Sequence, residues 1–159
     1  MPLKRANPAS TNADFQRKFA VACFNKTWDL LDKKERSRGE DLQMLLEAHT
    51  SRYHWGQIGN PRNFAVGDWQ ISRVYASLKQ PDLALLFARC CLDTCEENGL
   101  KDLLASAHEG MARAYAAGNN MKEAKRYLQS ARKQLELVTD ADRKIYGQQI
   151  DETEALITN

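Results

Sequence analysis

The chain is poor in the residues that interrupt regular structure, with only four prolines and eight glycines in 159 residues. They fall where helices should begin or end, which excludes a loop-rich or low-complexity fold. Strand-like alternation of apolar and polar residues is also missing. No uncharged apolar run approaches the roughly eighteen residues expected of a membrane span. The start, MPLKRANPASTNADF, has basic residues without the apolar segment of a secretory leader. Charge of one sign is lacking as well: 23 Lys plus Arg stand against 21 Asp plus Glu, interspersed, so no overall footprint for nucleic acid or an anionic membrane exists. Cys23, Cys90, Cys91 and Cys95 lack the spacing of a disulfide framework. These absences lead to the expectation of one soluble domain, retained in the cytoplasm with its thiols reduced.

What is there is helical in pattern. Residues 1–10 read as a loose leader and 11–159 as a single helical domain. A first helix, about 11–35, carries Phe15, Phe19, Ala22, Cys23, Phe24, Trp28 and Leu31, apolar over more than half its circumference, as for an element packed on two sides. It runs into the charged stretch DKKERSRGED. A second helix, about 40–58, has two apolar rows, Leu42, Leu45, His49 and Tyr53 beside Met44, Ala48, Ser51, Trp55 and Ile58. Gly59, Asn60 and Pro61 close it and open the third, 61–78. A fourth follows from Pro81 to Asn98. The fifth, 100–117, has the cleanest amphipathic pattern; the sixth covers 120–138 and a capping helix 140–157.

Slid by forty residues, the third and fourth helices fall on the fifth and sixth: Arg73 on Arg113, Tyr75 on Tyr115, Ala76 on Ala116, Ala84 on Ala124. A fixed offset joining two helix pairs signals a solenoid. Met111, Ala112, Tyr115, Ala124, Leu128 and Ala131, with Ile71, Ser72, Tyr75, Ala84, Ala88 and Cys91 in the preceding pair, resemble the tetratricopeptide repeat, whose pattern sets W-x2-L-G-x2-Y before small and apolar residues on the second helix. Asp68 and His108 stand in the tryptophan slot, and the period is longer than the usual thirty-four or so. AHTSRYHWGQIGNP with GDWQISRVYA is similar to small, functionally uncharacterised bacterial proteins of this class. The resemblance implies an all-α, right-handed α-α superhelix, a TPR-like solenoid of about seven antiparallel helices. Its parts would be a divergent pair (11–60), two repeats (61–98 and 100–138) and a cap.

It also implies where a partner would sit. In tetratricopeptide arrays the first helix of each pair lines a concave groove, and the side chains two and six residues before the tyrosine point into it. Those slots hold Arg73 and Trp69 in one repeat, Arg113 and Glu109 in the next, with the small Ala76, Ser77, Ala116 and Ala117 beyond. Two guanidinium groups beside an indole suit an acidic group plus an apolar anchor. The alternative is that each arginine pairs with a carboxylate on a neighbouring helix, Glu109 being a ready partner.

Other chemistry has less support. His49 and His54 lie five apart, about 140° around a helix, and so do not share a metal. Cys91 and Cys95 complete no zinc pattern. No nucleophile turn or phosphate loop occurs, and no motif asks for a cofactor. His49 reads as a packed residue bonded to a neighbouring helix, while His54 is either surface or a pocket wall. The expectation is a non-enzymatic interaction module that binds a protein or peptide partner through Trp69, Arg73, Glu109 and Arg113. On that reading Arg73→Ala and Arg113→Ala weaken binding without lowering the melting temperature. An alternative is a small-molecule sensor or enzyme with a pocket near His54, Trp55 and Trp69. A third is self-association through an apolar face of the first helix.

Overall fold

The computed structural model describes residues 8–158, and among these every regular element is helical. The order is α1 (Pro8–Leu31), α2 (Arg38–Ile58), α3 (Pro61–Ser77), α4 (Pro81–Glu97), a 3-10 turn (Lys101–Leu103), α5 (Leu104–Ala117), α6 (Met121–Leu135) and α7 (Asp140–Thr158). Neighbouring helices pack as pairs, α1 with α2, α3 with α4 and α5 with α6. In addition α3 lies against α5, and α7 against both α5 and α6. No described helix is long and apolar enough to cross a membrane.

Four boundaries differ from the sequence reading: α5 begins at Leu104 because the 3-10 turn takes the residues before it, α6 ends at Leu135 rather than 138, and α1 differs at both ends for identifiable reasons. Of the expected leader, residues 1–7 lie outside the described residues, while Pro8, Ala9 and Ser10 already form the first turn of α1, proline being well suited to a first helical position. At its other end α1 stops at Leu31 rather than near 35. The charged run folds back instead: Arg36 Nε donates to Asp41 Oδ1 at 2.7 Å and Arg36 Nη1 to the Leu30 carbonyl at 3.3 Å, satisfying a carbonyl at the end of the helix. Ser37 then caps α2, its hydroxyl accepting from the Glu40 amide while Glu40 accepts from the Ser37 amide, a reciprocal box that fixes the start. Gly59 closes α2 in extended backbone, φ −83°. It is glycine for space: a Cβ there would lie 2.6 Å from the Trp55 carbonyl oxygen.

The forty-residue step is carried into three dimensions. The Tyr75 ring stacks on Phe87, centroids 5.8 Å apart and planes 18° from parallel, and Tyr115 stacks on Tyr127 at 5.5 Å and 19°. Each tyrosine carbonyl accepts a 2.9 Å bond from the amide five residues on, Gln80 or Asn120. Between them, Lys79 (φ 58°) and Asn119 (φ 61°) take the left-handed backbone that reverses the chain, so both helices end in the same Schellman arrangement. Alanine makes the close approaches. Ala84, Ala105, Ala107, Ala112, Ala114, Ala124 and Ala131 are fully buried.

The first pair is sealed less well. Ala20, Thr27 and Leu30 of α1 and Met44, Ala48 and Ser51 of α2 are buried, so the second of the two rows expected on α2 is its core face. The first row is divided: Leu45 packs on this core and His49 on Tyr75 and Phe87, while Leu42 and Tyr53 are exposed, as are Phe15 and Phe19. Helix α1 packs on α2 and meets α3 through its C-terminal half, where Trp28 contacts Trp69, Leu30 joins Ile71 and Val74, and the Phe24 carbonyl accepts from Gln70, so its broad apolar belt is covered on two sides there and on one toward Phe15 and Phe19.

Candidate functional site

Trp69, Arg73, Glu109 and Arg113 do come together, around the carboxylate of Glu109. That side chain is fully buried. Trp69 Nε1 donates to Glu109 Oε2 at 2.9 Å and Arg113 Nε to Oε1 at 2.9 Å, while the Thr153 hydroxyl of α7 donates to the same Oε1. Arg73 Nη1 lies 3.6 Å from Oε1. Helix register explains the convergence. Trp69 and Glu109 are equivalent positions on α3 and α5, and so are Arg73 and Arg113, so helices packed side by side bring each residue to its own counterpart. Gly110 allows the contact, since a Cβ there would meet Trp69 Cδ1 at 3.0 Å.

A second carboxylate closes the cluster. Glu152 of α7 binds the Arg73 guanidinium directly, and Arg113 Nη2 lies 3.7 Å from its Oε2. Arg73 also sits over two indoles, 5.2 Å from the Trp28 ring and 5.7 Å from Trp69, a placement favourable for a guanidinium. The four expected residues are therefore engaged with one another and with α7. Sequence reasoning missed Glu152 and Thr153. A signal existed, because one more step of forty takes Glu109 to Gln149 and Arg113 to Thr153, making α7 the next helix of the same row.

The electrostatics follow from this geometry. Burial pushes the Glu109 carboxyl up, but Arg113, Arg73 and the Thr153 hydroxyl outweigh it and hold the group below its ordinary value. Arg73 is held below the usual guanidinium value, first by burial and then by Arg113, against the pull of Glu109 and Glu152. Two cations face two anions, so neither arginine is a spare charge. Each keeps one nitrogen in charge contact alone: Arg73 Nη1 and Arg113 Nη2 are buried without a hydrogen bond, 3.6 Å from Glu109 and 3.7 Å from Glu152.

Recesses open on both sides of the cluster. One of about 270 Å³ is bounded by Trp28, Asp32, Arg73, Ile145, Gln148 and Glu152. The other, about 340 Å³, is lined by Ala76, Ser77, Ala116 and Ala117 together with Lys79, Arg113 and Leu156. The small residues after each tyrosine do leave space.

His54, Trp55 and Trp69 have different surroundings. His54 Nδ1 is paired with Gln16 Oε1, and its ring stacks on Phe19 with centroids 5.5 Å apart. Trp55 borders a recess of about 230 Å³ with Val21, Phe24, Arg62 and Gly67. Trp69 borders a smaller cavity of about 90 Å³, with Val66, Cys91, Leu103, Ser106 and Tyr146. His49 packs as expected, its Nε2 3.0 Å from the Tyr75 hydroxyl, and burial lowers its pKa against an opposing pull from Asp68. Ser51 donates to the Ala20 carbonyl at 2.8 Å, tying α2 to α1. Cys91 and Cys95 are core residues.

No family model, curated protein or solved structure matches the chain. Functional meaning therefore comes from the cluster and its recesses.

Proposed function

We propose that the chain is a TPR-like right-handed superhelix and a non-enzymatic interaction module, which binds an extended segment of a protein or peptide partner along the face formed by α3, α5 and α7. Its working compartment on this reading is the cytoplasm, where its cysteines stay reduced. The observation that carries the reading is the recess of about 340 Å³ built from equivalent small residues, Ala76 and Ser77 on one layer and Ala116 and Ala117 on the next. Preformed helical walls lose little entropy when a flexible segment docks, which favours this kind of recognition. The Glu109 network moves the contact surface away from the buried arginine stems and toward this recess, with Arg113 at its edge.

The test is to fill the recess. Ala117→Trp should abolish retention of a partner captured by the wild-type protein under identical conditions, with the melting temperature kept within a few degrees. A partner held equally by both proteins would defeat the reading.

A second reading, a small-molecule sensor, is supported by one observation. Ser106 Oγ and Gln149 Oε1 are both buried without partners, and both border the cavity of about 90 Å³ beside Trp69. Native mass spectrometry of protein isolated from its own cell would reveal a bound small molecule at unit stoichiometry if this cavity is the working site.

A further inference from the structure

The two recesses beside the arginine cluster follow one another along the helices. On α3 the first takes Arg73 and the second Ala76 and Ser77; on α7 the first takes Glu152 and the second Leu156. The Arg73–Glu152 contact belongs to the wall of the first, and Arg113, the other neighbour of Glu152, to the wall of the second. We propose that Glu152 is a tethered competitor: the groove's ligand is an extended peptide segment with one acidic side chain, which displaces Glu152 from Arg73 and Arg113 and joins the two recesses. This deepens the partner-binding reading above and rests on it.

Accessibility separates the members of the cluster. The Arg73 and Arg113 side chains are 11% and 13% exposed, whereas that of Glu152 is 58% exposed. The carboxylate can turn into water at little cost; the guanidinium groups cannot leave. Charge then fixes what replaces it. Glu109 is fully buried and held by Trp69, Arg113 and Thr153, so it stays. Once Glu152 swings away, two cations face a single anion, and the surplus of one positive charge is matched by one carboxylate. Arg113 Nη2, 3.7 Å from Glu152 and without a hydrogen bond, offers that incoming group a bond the resident one does not make, and guanidinium binds carboxylates in a two-point geometry.

The flanks give the segment a polarity. Asp32 borders the first recess and Lys79 the second. A further acidic residue is therefore disfavoured on the Asp32 side and tolerated on the Lys79 side, where Ala76 and Ala117 also leave room for a side chain. A neutral segment has nothing to offer the arginines and leaves Glu152 in place.

The experiment titrates N-acetylglutamate amide, and N-acetylglutamine amide as its neutral match, into the full chain at fixed ionic strength. Binding is followed by the arginine Nε–Hε signals of Arg73 and Arg113. Removing a competing half-exposed ion pair should tighten binding of the acidic probe by about fivefold in Glu152→Gln. Glu152→Ala should show the same gain, which guards against an idiosyncrasy of the glutamine side chain, and the neutral probe should bind none of the three proteins. Equal apparent affinity of the acidic probe for wild type and both variants overturns the proposal, as does equal binding of the two probes. The outcome is separable from the partner-binding reading: Ala117→Trp leaves Glu152 untouched, so loss of partner retention there, without any gain in Glu152→Gln, would sink the competitor and spare the groove.

Discussion

In α1 and α2, large apolar side chains stand in solvent: Phe15 is 55% exposed, Leu46 60% and Tyr53 65%. Across α3 to α6 only α4 leaves any such side chain out, at Leu83 and Leu86. Large apolar side chains are no scarcer in the first pair; what differs is the number of neighbours. A helix inside the row is covered by its own partner and by the layers before and after it, so alanine suffices at every close contact. The outermost pair lacks a layer on one side. The same contrast governs polar groups. At the centre, a carboxylate can be taken wholly out of water because α3, α5 and α7 each bring it a donor; in the first pair, the Lys33–Glu40 ion pair is partly open to water, its side chains 46% and 31% exposed.

The contrast is broken most strongly at Glu109. Glu109→Gln leaves Arg73 and Arg113 side by side with only Glu152 between them, and should cost about 3 kcal/mol in guanidinium chloride denaturation, the scale expected when one member of a buried ion pair is removed. A loss below 1 kcal/mol would mean that the cluster contributes little to stability. Because Arg73 and Arg113 belong to this cluster, their alanine variants should also melt lower, contrary to what their sequence positions alone imply.

Acid should act on the same ground. Burial lowers the pKa of His49 and of His108, so the unfolded chain takes up protons first and stability falls as the pH drops below the ordinary value of 6.5. Glu109 is held below its ordinary 4.5. Its contribution is complete above that value and is lost as the pH falls further. Asp68, raised by burial against the pull of Arg52, works in the opposite sense in that lower window. Urea midpoints measured from pH 7 to pH 3 should therefore show two losses, and the lower one should shrink in Glu109→Gln.

A smaller effect sharpens the likeness between the two repeats. Lys79 and Asn119 occupy the same left-handed turn position, but asparagine tolerates that backbone better than lysine. Lys79→Gly should stabilise by about 0.5–1 kcal/mol and Asn119→Gly by less. Equal gains would argue against equivalent turns. The smallest effect belongs to the open face of the first pair, where Leu46→Ser should change the thermal unfolding free energy by less than about 0.5 kcal/mol; a larger loss would mean that the residue is covered in solution.

Much of the scaffold is legible in the sequence, because its signals are local. Pro61 and Pro81 stand at first helical turns, and Asn120 caps α6. The Ser37–Glu40 box is legible too, but it lies inside a charged run whose composition masks the S-x-x-E spacing. The candidate site was legible in part. A period of forty identified Trp69 with Glu109 and Arg73 with Arg113, so the sequence named the residues that meet. It did not say whether they meet a guest or each other.

Helix positions, the step between layers and the equivalence of side chains were determined by the sequence alone, since periodicity and capping act over a few residues and repetition is visible in one dimension. Whether the arginines are free was decided only by tertiary structure. Their partner Glu152 lies 79 residues from Arg73 along the chain, and a charge pair closed across space by a docking helix leaves no mark on the local spacing of either member.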